Sequence, residues 1–139
     1  MVNRRTSARR ATQLRALLED KRRQVTAGLS DLIRDVRERS DKTRVTDGQD
    51  GVDAEPRDDL DLALLQMRGE TVARIDAALR RLEAGTYGIC ADCDHPISSE
   101  RLGALPFAAR CRPCEEAREA ATTLRRSAAA RPYTYHAID

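Results

Sequence analysis

The sequence predicts a mostly α-helical chain: a long antiparallel two-helix coiled-coil hairpin, a small four-cysteine finger and a C-terminal helix. Three observations predict it. There are two long stripes of apolar residues at helical spacing, an acidic break containing glycine between them, and four cysteines in two close pairs. The 139 residues suit one small domain, and with no Trp and one Phe there is little bulky material for a wide core. Abundant Leu, Ala, Arg and Glu instead suit helices packed along narrow seams, which argues against a large pocketed enzyme. No apolar stretch follows Met1-Val2-Asn3-Arg4-Arg5, and nowhere is there a run of about 18 apolar residues able to span a bilayer. The chain therefore reads as a soluble cytoplasmic protein.

Residues 1–11 carry Arg4, Arg5, Arg9 and Arg10 among small polar residues, the composition of a basic N-terminal arm or of a solvated helix start. The hairpin is expected over 12–86. Its ascending helix places Leu14, Leu17, Leu18, Val25, Leu29, Leu32, Ile33 and Val36 at helical spacing, with charged residues on the other faces. The break over 45–56 holds Gly48 and Gly51 among alternating acids and marks the reversal. The descending helix follows Pro56, which the first turn tolerates, and Asp58 and Asp59, which suit its positive end. Its stripe is Leu60, Leu64, Leu65, Met67, Val72, Ile75, Leu79 and Leu82, and Gly85 supplies the stop.

Antiparallel pairing at a constant residue-number sum of 96 sets Val36 against Leu60, Leu32 against Leu64, Leu29 against Met67, Leu17 against Leu79 and Leu14 against Leu82. Charge is segregated along the chain. Between 46 and 61, seven acids oppose only Arg57, giving 1 − 7 = −6, so the rest of the +2 chain carries +8. The acidic tip of the hairpin has either a solvating or a functional role.

Cys90, Cys93, Cys111 and Cys114 form Cys-x2-Cys, 17 intervening residues, and Cys-x2-Cys, the arrangement of a closed structural zinc site over 87–115. Four thiolates complete a tetrahedron and leave no place for water or substrate, so one structural Zn2+ and no catalytic metal is expected. Asp94 suits the left-handed backbone of a knuckle, and Arg110 and Arg112 can offset the negative charge of the thiolates. A disulfide pairing is disfavoured in a chain lacking a secretion signal. Residues 116–131 should be helical until Pro132 and pack on the base of the rod, with 132–139 as a tail. His95 and His136 carry no catalytic constellation.

The run Ala77-Ala-Leu-Arg-Arg-Leu-Glu-Ala-Gly85-Thr-Tyr-Gly-Ile-Cys90-Ala-Asp-Cys93, with Ile97, Arg101-Leu102, Ala104-Leu-Pro106 and Cys111-x2-Cys114, resembles the DksA/TraR zinc-finger family. The resemblance is specific over about 71–118 and architectural over the preceding rod. It implies a bacterial transcription regulator that binds RNA polymerase rather than promoter DNA. The rod would enter the secondary channel so that tip acids approach the active centre and alter open-complex stability. No sequence-specific DNA contact, no membrane and a monomeric state are implied. Counting back from Cys90 without gaps, the family's pair of tip aspartates falls on Asp47 and Asp50, with Val52 where an Ala is usual. Asp58 and Asp61, followed by Ala63, fit the same pattern but lie on the descending helix, so the pairing geometry favours Asp47 and Asp50. The resemblance also makes Arg74 and Arg101 candidates for contact to polymerase or to guanosine tetraphosphate. Counting places Leu64, Met67, Leu105 and Glu115 at the family's other basic or polar positions, which implies weak nucleotide synergy.

Three rivals use the same features. A transcript-cleavage factor would hold Mg2+ on its tip acids. A nucleic-acid binder would use the zinc module and the arginine arm, with steep salt dependence. A structural coiled-coil adaptor would leave its acids idle.

Overall fold

The computed structural model describes residues 4–45 and 55–130, which form four helices. They are α1 (Arg4–Val45), α2 (Glu55–Ala84), α3 (Ser99–Ala104) and α4 (Arg112–Ala129). Helix-on-helix packing among them is carried chiefly by α1 against α2. The 30 residues of α2 span about 45 Å at 1.5 Å per residue, so the molecule is a rod with its finger at one end.

The hairpin is antiparallel, and its cross-links show the pairing directly. Arg15 bonds Glu83 at 3.1 Å, Arg22 bonds Asp76 at 2.7 Å, Arg68 donates to the Gly28 carbonyl, and Arg39 bonds Asp61 at 2.6 Å. The residue numbers of these pairs add to between 96, for Gly28 and Arg68, and 100, for Arg39 and Asp61. The core sits at the finger end, where Leu18, Ile75 and Ala78 are buried and Val25, Leu79, Leu82, Tyr87 and Phe107 pack around them.

Four details depart from the sequence expectations. Residues 4–11 are not a separate arm, because α1 begins at Arg4; Ala, Arg and Gln favour a helix strongly enough to extend it despite basic residues at its positive end. The residue buried at the base is Leu18, whereas Leu17 is 49% exposed. Near the tip, Leu60 and Met67 face solvent, and Asp61 and Arg68 take the inward positions. A supercoiled pair repeats every seven residues, so a seam fixed by Ile75 passes through 68 and 61 rather than 67 and 60. Finally, α4 has no buried residue and Leu124 is 71% exposed, so this helix does not pack on the rod beyond its first turn. Its inward material would be Ala117, Ala120, Ala121 and Leu124, too little apolar area to hold a helix down.

Helix ends follow their sequences. Lys42 and Arg44 lie in the last turn of α1, and α2 begins with an acidic stretch, each matching its end of the helix dipole. Gly85 closes α2 at φ 76°, a backbone that costs glycine nothing, while Thr86 and Tyr87 donate to the Arg81 carbonyl. No helix among the described residues is long and apolar enough to cross a membrane.

Candidate metal centre and its surroundings

The first cysteine pair is built on a knuckle. Ile89 and Pro96 form an antiparallel bridge, the Ile97 amide donates to the Gly88 carbonyl at 2.7 Å, and the Cys90 amide donates to the His95 carbonyl at 2.8 Å. Asp94 takes φ 58° so that the chain can return, the left-handed geometry a short Asp side chain tolerates. The second pair straddles the start of α4, with Cys111 as its N-cap, Pro113 in the first turn and Cys114 one residue further on. That end of a helix presents free amides and a positive dipole, which suits a thiolate.

All four Sγ atoms lie within 4.8 Å of one another, with Cys93 and Cys111 at 3.7 Å. Zinc bound tetrahedrally at about 2.3 Å per sulfur would set the sulfurs about 3.8 Å apart. The donor set therefore fits one closed zinc site, and the thiols are free rather than bridged by disulfides. When bound, the metal would supply a cross-link between the knuckle and α4.

The four thiols differ in acidity. A hydrogen bond from the Cys111 backbone is the largest influence on Cys90, whose thiol is lowered to about 6 despite its burial. Cys114 is pushed up, first by its hydrogen bond to Cys111 and then by burial. The His95 backbone hydrogen bond favours the Cys93 thiolate, but hydrogen bonding to Cys90 and burial together outweigh it and raise this thiol as well.

Arginines and one tyrosine hold the module to the rod. Arg81, in the last turn of α2, donates to the carbonyl of Ile89 in the first knuckle and to that of Ala109, 3.1 Å away, ahead of the second pair. Arg101 donates from Nε to the Arg110 carbonyl at 2.9 Å. Arg110 bonds Asp92 at 2.8 Å and lies 3.9 Å from Glu115, tying the first knuckle to α4. The Tyr87 hydroxyl donates to the Pro106 carbonyl at 2.6 Å, and burial raises its pKa against the opposing pull of Arg10. Sequence reasoning missed Arg81 and Tyr87. An arginine in a helix's last turn looks like a dipole partner, and nothing local shows that its fork reaches backbone carbonyls eight and 28 residues away.

The other sequence candidates fall into three groups. Asp47 and Asp50 lie outside the described residues. Asp58 is exposed in the first turns of α2, whereas Asp61 is only 8% exposed and held by Arg39. Asp61 is thus a seam residue, because the seven-residue repeat turns it inward. Arg74 and Arg101 line one groove of about 330 Å³ beside α4, together with Arg110, Arg112 and Arg118 and the acids Glu115, Glu116 and Glu119.

Residues 85–120 match the model of the prokaryotic dksA/traR C4-type zinc finger. The RNA polymerase-binding transcription factor DksA of Caulobacter vibrioides is 41% identical over 49 residues, 35% of this chain and 34% of that protein. The chain's match thus spans about a third of the length of its curated relatives. Similarity of structure reaches further. Transcription factor DksA2 from Pseudomonas aeruginosa shares 27% identity and a TM-score of 0.61 over 81% of this chain and 85% of that one. The solution structure of DnaK suppressor protein from Agrobacterium tumefaciens C58 shares 32% identity and a TM-score of 0.50 over 76% of this chain and 91% of that one.

Proposed function

From the premise that the chain belongs to the DksA/TraR zinc-finger family, we propose that it is a bacterial, cytoplasmic, monomeric regulator of transcription that binds RNA polymerase and has no enzymatic activity of its own. The rod enters the polymerase through its secondary channel, and the acidic segment after Val45, with Asp47 and Asp50, acts near the active centre to change open-complex stability. The observation that carries this reading is the narrow hairpin of α1 and α2 with the finger at its base. A slender rod can pass where a globular domain cannot, and carboxylates delivered to a low-dielectric site act strongly on metal ions and cationic groups there. The finger, cross-linked by zinc on Cys90, Cys93, Cys111 and Cys114 and by Arg81, serves as the stop that sets insertion depth.

Arg74 and Arg101 line the groove that would face polymerase or a nucleotide. Arg110, Arg112 and Arg118 share its wall with Glu115, Glu116, Glu119 and Leu105, and two of these arginines are already engaged, Arg110 by Asp92 and Glu115 and Arg112 by Glu116. Leu64, Met67, Leu105 and Glu115 at the family's other basic or polar positions cannot donate to phosphate, so guanosine tetraphosphate adds little to the action of this protein. The +2 net charge also disfavours sequence-specific DNA binding as the main activity.

The test is capture of purified core RNA polymerase by the full chain, repeated with excess of a secondary-channel cleavage factor. Capture that the competitor abolishes is the expected result. Capture that persists unchanged would place the contact elsewhere on polymerase, and absence of capture would remove polymerase as the partner.

A further inference from the structure

We propose that Arg39 and Asp61 form a positioning clasp that fixes the register of the hairpin at the neck of its acidic tip. The clasp is read from the hairpin alone; only its consequence for transcription rests on the polymerase reading above.

Asp61 is the one polar or charged residue buried among those described, at 8% exposure. Its carboxylate accepts from Arg39 at 2.6 Å, and Arg39 Nε also donates to the Asp35 carbonyl of its own helix at 3.3 Å. The guanidinium is thereby oriented from both helices, and its planar fork resists reorientation in a way a lysine would not. Beyond this pair, among the described residues, every one from Ser40 to Val45 and from Arg57 to Leu60 is exposed. Among the described residues the pair is therefore the buried contact nearest to the reversal.

A carboxylate at this position is a poor choice for stability alone. Desolvating an ion pair costs about as much as the pair returns, and apolar side chains of similar size serve as well or better. What a polar seam pair supplies is register, because only one alignment satisfies it. Here the need is concrete. Leu60 and Leu62 flank Asp61 and are 60% and 55% exposed, so a one-residue change of register, a rotation of α2 by about 100°, would bring a leucine into the seam in its place. Each residue of slip moves the chain about 1.5 Å along the axis. The surrounding charges do not prevent this. Arg37, Lys42 and Arg44 on α1 and Asp58 and Asp59 on α2 attract across the hairpin, but exposed pairs are screened and tolerant of alignment. An alignment that turns Asp61 outward forfeits its bond to Arg39, and a slip along the axis that keeps Asp61 inward buries its carboxylate without that partner.

The test is the full chain carrying Arg39→Leu with Asp61→Leu. Folding stability should hold or rise, because an apolar pair replaces an ionic one. Spin labels attached at Val45 and Arg57 by chemistry that spares the cysteines should give a narrow distance distribution in the parent and a broadened or shifted one in the variant. Polymerase binding should stay within about twofold while the effect on open-complex lifetime at saturation falls roughly tenfold, as expected for a misplaced functional group on an intact scaffold. Arg39→Lys keeps the charge but not the fork and should broaden the distances to an intermediate degree. Unchanged distance distributions in both variants would overturn the clasp whether or not polymerase is the partner. Changed distances with an undiminished open-complex effect would overturn its functional role, and loss of polymerase binding in parallel would assign the pair to docking instead.

Discussion

Arg81 Nη1 donates to the Ala109 carbonyl 3.1 Å away, so the last turn of the descending helix holds the segment that leads into the second cysteine pair. The same guanidinium also serves the Ile89 carbonyl of the first knuckle. One side chain thus binds both halves of the finger to the rod. Insertion depth, if the finger is the stop, depends on this junction as much as on the metal.

Arg81→Ala should leave the Ile89 carbonyl without its donor and the Ala109 carbonyl with the Ala91 amide alone, and lower stability by about 1.5 to 3 kcal/mol, the scale for a hydrogen bond to a charged donor. Arg81→Lys should recover less than half, because an ammonium cannot span both acceptors. Denaturant unfolding of the zinc-loaded protein measures both. Equal stability of Arg81→Ala and the parent would mean that the junction is held by packing alone.

At the base of the rod, Leu18→Ala should cost about 2 to 5 kcal/mol, since Leu18 is fully buried against Ile75 and Ala78. Leu17→Ala, at a half-exposed neighbour, should cost well under about 1 kcal/mol. The two thermal midpoints compared side by side decide the seam alignment, and a larger loss at Leu17 would place the helices one residue out of the pairing described.

Zinc affinity should fall as pH falls. In the metal-free protein the Cys93 and Cys114 thiols are raised, so they hold their protons through neutral pH, and binding must expel them. Cys90, lowered to about 6, has already lost most of its proton at pH 7 and contributes pH dependence only below that value. Competition against a chromogenic chelator between pH 6 and 8 should show affinity rising throughout, with proton release on binding; an affinity independent of pH would contradict this assignment.

Removal of zinc should loosen the finger before the rod. Amide exchange should quicken first over 85–115, while α1 and α2 keep the seam that Val25, Ile75 and Arg68 hold. Uniform loss of protection along the whole chain would mean that the metal, rather than the Leu18 cluster, secures the hairpin.

The parts of this structure legible in the sequence are those set by short-range spacing. Cys-x2-Cys pairs fix their own geometry within a turn, Gly85 ends a helix locally, and Asp94 occupies the left-handed corner suited to it. The hairpin was legible because two stripes of matching length flank an acidic break. Its seam near the tip was not, since Leu60 and Met67 are apolar while Asp61 and Arg68 are the residues that turn inward. Hydrophobicity ranks residues one at a time, whereas the seven-residue repeat of a supercoil is imposed by the whole pair. The contact of Arg81 with Ala109 crosses 28 residues with no local signal, and helical propensity marks α4 as a helix but says nothing about the area available for its packing.

The most direct measurement is the lifetime of a promoter open complex with the full chain at saturation, compared with Asp47→Asn and Asp50→Asn combined. The variant should bind polymerase as the parent does and lose most of the effect on lifetime, as the proposed action of the carboxylates, and not of the rod, at the active centre requires. An undiminished effect with both charges removed would contradict the delivery of an acidic tip and leave the rod itself as the agent.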